Sequence, residues 1–329
     1  MKKINFLLTI ILLISSFSFS QVDLDKTAQS TMNFLLVSTS PKASALGDAY
    51  TNIGSGSESM FYNPAGLTDM KTQFDLNINY TGWIADINYL SGGIAWNLND
   101  YGVVGINLLT VDYGVINGTS LTLERNELGY IDDGEVSNVG AYSIGLSYAR
   151  AISQEFSIGG NVKLVGQNLG VSVLQTGTVD NNASKLSFDA GVKYRTSFKG
   201  FTFGMSIRNF ATNIKREIYD EQLPLIFAAG IAINLMDVVY PDHENPLFVA
   251  VDFLHQNNYS ERVNLGAEYK FLDMIALRGG YQTNRDLASW SGGVGLSQTL
   301  FDYDLEVNYS YSRFEIFDSV SRLSLHVSF

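Results

Sequence analysis

The sequence predicts an all-β transmembrane barrel of about 14 antiparallel strands, with a small helical N-terminal plug in its lumen. Three observations predict it: an export-type leader, a succession of alternating apolar and polar segments, and a composition rich in aromatic residues and glycine but poor in charge.

The leader comes first. Met1-Lys2-Lys3 makes a short positive start, and Ile4 to Ile14 is an apolar run relieved only by Asn5 and Thr9. A membrane helix needs about 20 apolar residues, whereas a secretory core needs about 7 to 15 followed by small residues. Ser15, Ser16, Ser18 and Ser20 supply the small residues, so residues 1–20 read as a signal peptide and the mature chain starts at Gln21. With no cysteine, a lipid-anchored N-terminal Cys, a disulfide framework and a thiolate metal site are all excluded.

The chain has 30 Gly, 18 Tyr and 20 Phe against 5 Pro, and 16% charged residues where soluble domains average about 25%. A net charge of -12 without any cluster of Lys and Arg excludes nucleic acid as a partner. Beyond the leader no run approaches 18 apolar residues, which excludes helical spans but not a barrel, because polar residues dilute the lipid-facing ones along each strand.

From residue 72 to 329 the chain reads as strands of about ten residues, the length a tilted membrane strand requires. Tyr303, Leu305, Val307, Tyr309 and Tyr311 alternate with Asp304, Glu306, Asn308 and Ser310, and a two-residue period sends the two sets to opposite faces. The same pattern marks 156–164, 186–194, 262–271 and 322–329. Weaker segments at 72–80, 87–98, 102–113, 138–150, 200–209, 224–235, 246–255, 274–282 and 289–299 complete the set. Connections after even-numbered strands are short, whereas 114–137 and 169–185 read as long loops at the other end; 236–245 is long for its end. A soluble sandwich also alternates, but its outer face is polar. The leader, the aromatic content and the aromatic last strand ending at Phe329 favour a barrel in the outer membrane of a Gram-negative cell. On this reading Arg at Leu305, facing lipid, costs about 2–4 kcal/mol, and Arg at Asn308, facing the lumen, much less.

Residues 21–71 read differently. Lys42 to Ile53 looks helical after Pro41, Gly54 to Gly56 interrupts it, and Ser57 to Tyr62 forms a further turn before Asn63-Pro64-Ala65-Gly66. Pro64 pushes Asn63 out of the helical region, and the Asn63 amide can bond the backbone two residues on. The segment is too small to fold alone, and the lumen is the surface on offer. The paired glycines Gly92-Gly93, Gly159-Gly160, Gly279-Gly280 and Gly292-Gly293 lie within alternating strands, not before helices, so they mark close packing and not phosphate loops.

The run Ala43 to Tyr50 (ASALGDAY), followed by Met60 to Leu67 (MFYNPAGL), resembles the N-terminal signature of the PorV/PorQ family, relatives of the FadL long-chain fatty acid transporter. Further similarity lies in Leu223 to Leu225, in Ile275 to Tyr281 and in Arg322 to Phe329. The resemblance implies a 14-stranded barrel with an N-terminal hatch whose motif residues are Gly47, Asn63, Pro64, Ala65 and Gly66. Asp48 departs from it, as does the Gly54 to Glu58 stretch.

Catalysis has little support, and neither a cofactor nor a metal is expected. His243, His255 and His326 are the histidines available. His326 shares a face with Ser324 and Ser328, but alternate strand residues stand about 7 Å apart, too far for a nucleophile and its base. His243 lies in a Pro-bounded turn with Asp242 and Glu244 and reads as solvated. The inward face is expected to carry Lys163, Asp189, Lys193, Arg195, Arg208, Arg262, Glu268, Lys270, Arg278, Asp304, Glu306 and Arg322, either as a charged pathway or as ion pairs bracing the lumen.

Two functions follow from the resemblance. The main expectation is a protein-secretion accessory of type IX kind that docks a translocon or secreted C-terminal domains, with the apolar loop 114–137 as the contact. The alternative is passive transport of a hydrophobic small molecule, for which Phe34, Leu35, Leu36, Met60 and Phe61 are candidate pocket residues. Outer-membrane lipid surrounds the barrel in either case.

Overall fold

In the computed structural model the described residues are 30–329, apart from 122–128, 175–176, 199, 216–219, 241–242, 286–288 and 315. The expected signal peptide, 1–20, lies outside them. Fourteen strands form one closed antiparallel barrel, each paired with its neighbours in the chain, and the last strand pairs with the first. They are β1 (Phe74–Gly82), β2 (Asn88–Asn97), β3 (Val103–Asp112), β4 (Val139–Ala151), β5 (Phe156–Leu174), β6 (Gly177–Arg195) and β7 (Thr202–Phe210). There follow β8 (Ile226–Asn234), β9 (Leu247–Gln256), β10 (Tyr259–Phe271), β11 (Ile275–Gln282), β12 (Trp290–Leu300), β13 (Tyr303–Ser312) and β14 (Val320–Ser328). Among the described residues no helix is long and apolar enough to cross a membrane.

Alternation produces the two faces. On β13 Val307 and Tyr309 are 44% and 43% exposed while Asn308 and Ser310 are fully buried. Ile158, Val162 and Leu164 point outward and Ser157, Asn161 and Lys163 inward. This inverts a soluble sandwich: the interior is polar and the outer wall is apolar, as a lipid solvent demands. The seam closes where Phe74 and Phe329 exchange backbone hydrogen bonds of 2.7 and 3.0 Å, their rings stacked at 5.4 Å.

Two of the expected connections need correction, and a third is long as expected. The 169–185 stretch is not a loop, because β5 and β6 pair out to Leu174 and Gly177, making a hairpin far longer than its neighbours; Gly170, at φ 78°, carries the bulge that lets it continue. Within 114–137 a two-stranded ribbon, Asn117–Leu121 with Tyr130–Glu135, stands at the same end. The long connection after β8 contains α2 (Leu235–Val239), capped by the Asn234 side chain.

The expected helix from Lys42 to Ile53 is also much shorter. The helix α1 spans Pro41–Ala45, with the Ser40 hydroxyl accepting from Ala43 N, and it stops because Gly47 and Asp48 both adopt positive φ. Gly47 is pressed on Tyr281, where a Cβ would stand 2.7 Å from the backbone nitrogen. Tertiary contact therefore overrides local helix preference. Two-turn 3-10 helices follow at Gly56–Phe61 and Pro64–Asp69.

Candidate functional site

Residues 30–71 touch the inward side chains of strands around the whole barrel, and a belt of inward glycines makes the approach possible. A Cβ at Gly93 would stand 2.5 Å from Met60 Cε, at Gly159 2.5 Å from Ala65 N, at Gly266 2.7 Å from Leu46 O, and at Gly293 2.7 Å from Ala45 Cβ. Missing side chains on the wall are matched by backbone and side chains of the segment, as interior packing density requires. One glycine of each paired set, Gly93, Gly159, Gly280 and Gly293, meets the segment.

Polar contacts then lock the register. Asn63 Oδ1 accepts from Ala65 N at 3.1 Å, the local bond its position before Pro64 predicts, while Nδ2 donates to Thr51 O and, on β6, to Val192 O. Pro64, Ala65 and Gly66 are buried in the turn that follows. Asp69 is paired with Lys193 at 2.5 Å and with Arg195. Lys42 Nζ reaches Glu306 at 2.6 Å and Glu58 at 3.7 Å, and Glu58 also accepts from the Ser40 and Tyr50 hydroxyls. Burial draws the Lys42 ammonium down, but Glu306 and Glu58 outweigh it and hold it above the ordinary lysine range. Burial first, then Glu58, push the Tyr50 phenol well up, so it stays a donor.

The expected lumen charges fall into two groups, with Arg262 and Asp304 apart from both. Lys163 pairs with Asp189 at 2.9 Å, and Arg278 bridges Glu268 at 2.5 Å and Glu306 at 3.2 Å, as cross-strand ion pairs. Lys193, Arg195, Arg208 and Arg322 instead hold the segment; the last two donate to the carbonyls of Phe61 and Ser38. Arg262 lies over the Tyr259 ring, 4.7 Å from its centre. Asp304 departs from the expectation: it is exposed at the end of β13 and accepts from Thr299.

His326 does not meet a serine. Its Nε2 lies 2.9 Å from Asp75 Oδ2, and the Ser57 hydroxyl donates to the same carboxylate, so a carboxylate stands between hydroxyl and imidazole. His243 is exposed, with Nδ1 3.1 Å from Asn245 O. Among the described residues no three His, Cys, Asp or Glu gather to hold a metal.

Toward the loop end the lumen changes character. Tyr89, Leu109, Val111, Ala141 and Val165 from β2 to β5 turn inward and enclose Met32 and Phe34 in one hydrophobic cluster with Ile214 and Leu223. Beside it, and sharing Leu109, a cavity of ≈ 80 Å³ is lined by Leu35, Leu36, Met60 and Phe61 of the segment and by Leu109, Ile226 and Leu254 of the wall, with Arg208, Arg262, Arg285 and the Lys163–Asp189 pair on its polar side. Of the candidate pocket residues, Phe34 lies in the cluster and the other four line the cavity. The wall residues were missed because each sits at an inward position where a barrel strand is expected to be polar.

No protein-family model matches the chain, and no curated protein does. Solved structures do match. A FadL homologue from Pseudomonas aeruginosa superposes with a TM-score of 0.55 at 12% identity, covering 88% of this chain and 98% of that one. The CymD monoaromatic hydrocarbon channel gives 0.55 at 14%, covering 89% and 98%. The Pseudomonas putida toluene transporter TodX gives 0.55 at 13%, covering 88% and 96%. The chain therefore has the fold of FadL-type outer-membrane barrels.

Proposed function

We propose that this protein sits in the outer membrane and passes small hydrophobic molecules inward, with residues 21–71 as its plug. The observation that carries this reading is the apolar inner wall at the loop end. Water-filled porins line their lumen with polar groups, whereas apolar sites take apolar ligands. The reversal on β2 to β5, completed by Met32, Phe34 and Phe61, supports an apolar path beside a mixed cavity. Two proteins with this fold are themselves described as a toluene transporter and a monoaromatic hydrocarbon channel. The test is uptake of labelled toluene by cells lacking other hydrocarbon channels. Uptake should appear with the protein and fall severalfold with Leu109→Arg; equal uptake with and without the protein would sink the reading.

A second reading, the secretion accessory of PorV/PorQ type, has one observation in its favour. Val115, Ile116, Tyr130 and Ile131 lie exposed around the loop-end ribbon, Val115 at 73%. Truncation of the ribbon that removes a co-purifying secretion partner while leaving toluene uptake intact would select it.

A further inference from the structure

The seated segment is fastened to the wall unevenly. Ion pairs or hydrogen bonds hold it to β1 through Ser57 and Asp75, to β6 through Asp69 and Lys193, to β9 through Thr51 and Asp252, and to β13 through Lys42 and Glu306. Among the described residues, 40–71 make a single polar contact with β2–β4, in which Asn107 Nδ2 stands 3.8 Å from Met60 Sδ. These three strands turn no charged side chain inward. Apolar residues gather at both ends of this uncharged strip: the cluster already described at the loop end, and at the short-turn end Met60 with Leu67, Met70, Ala95, Val103 and Ala149. Met60, 1% exposed, belongs to the second cluster and also lines the ≈ 80 Å³ cavity. Two wall glycines make its seat, since a Cβ at Gly93 would stand 2.5 Å from Cε and one at Gly105 2.5 Å from Sδ. In strand order Gly93 lies between Tyr89 and Ala95, and Gly105 between Leu109 and Val103, so Met60 sits between the two clusters.

We propose that Met60 is the gate of the transport route, and that the molecule passes between residues 56–70 and the uncharged face of β2–β4. Parting the segment from the other strands strips buried charges of their partners, whereas parting it from β2–β4 gives up apolar contacts that an apolar molecule itself replaces. The thioether is unbranched and has three rotatable bonds, so it leaves its seat by turning into the neighbouring cavity while the backbone stays pinned. Gly93 and Gly105 then present a slot free of Cβ atoms. The gate rests on the transport reading above.

Uptake of labelled toluene, together with crystals of the full chain soaked in bromobenzene, tests the gate. Met60→Ala empties the seat, so uptake should rise severalfold and an anomalous bromine peak should appear between Gly93 and Gly105. Met60→Ile keeps most of the volume but is stiff at χ1, so its uptake should fall severalfold below wild type. Ala95→Leu on β2 should likewise slow uptake, whereas Ala232→Leu on β8 should leave it unchanged, all in barrels that keep heat-modifiable mobility. Wild-type uptake matched by both Met60 variants, or slowed equally at Ala95 and Ala232, overturns the gate and leaves transport standing. No bromine at the seat in Met60→Ala overturns it independently of any uptake. Absence of uptake by wild type and Met60→Ala alike counts instead against the transport reading.

Discussion

At the scale of single residues, the unusual feature is how little free space the lumen leaves. Gly159 faces Pro64 and Ala65, so Gly159→Ala forces a methyl onto the segment's backbone and should cost about 1–3 kcal/mol. Gly279 points away from the lumen, with nothing within 4 Å of its Cβ position, so Gly279→Ala should be neutral. Unfolding temperatures of the two variants in one detergent make the comparison. The same crowding alters the expected tolerance of Asn308. It is fully buried and accepts from Arg278 at 2.7 Å, so Arg at this position meets a like charge in a filled space instead of an open lumen.

At the scale of elements, α1 and its neighbours are held to the wall through Lys42. Lys42→Met leaves Glu306 and Glu58 without their shared cation, and breaking such a pair on one side costs about 3–5 kcal/mol. The penalty should appear as faster hydrogen exchange or proteolysis within 40–60 and should shrink in the Lys42→Met, Glu306→Gln double variant; equal exchange in both would remove the latch. The pH dependence has a definite sign. Because the folded pKa of Lys42 is raised, its contribution is complete below the unfolded value of 10.5 and is lost as pH rises through the folded value. Loosening of the segment by alkali should therefore be blunted in Lys42→Met.

At the scale of the whole molecule, the barrel depends on its apolar outer band and its closed seam. Leu325, 46% exposed on β14, faces outward, and Leu325→Arg should cost about 2–4 kcal/mol in bilayers. That penalty should be largely absent in a detergent whose head groups can solvate the guanidinium. Phe329 ties the seam through its backbone bonds to Phe74 and its ring contacts with Phe74 and Tyr303. Deleting it should lower the yield of heat-modifiable, assembled barrel without lowering synthesis, measured by gel mobility against total protein. An unchanged assembled fraction would show that the seam closes without it.

What the sequence determined by itself was the barrel wall. Strand number, order and the facing of Tyr303 to Tyr311 all follow from a two-residue period, which is local and survives without knowledge of any neighbour. The local turn at Asn63-Pro64 was legible for the same reason. Only the tertiary structure decided how residues 30–71 lie, because α1 ends where Gly47 meets Tyr281, and that meeting joins residues far apart in the chain. It also decided which charges brace the wall and which hold the segment, since Lys163 and Lys193 are indistinguishable by pattern and differ only in what lies opposite them. The apolar patch at Tyr89, Leu109 and Val165 was illegible too: alternation assigns a face to each residue, but which inward positions meet one another depends on the height each strand reaches around the closed wall.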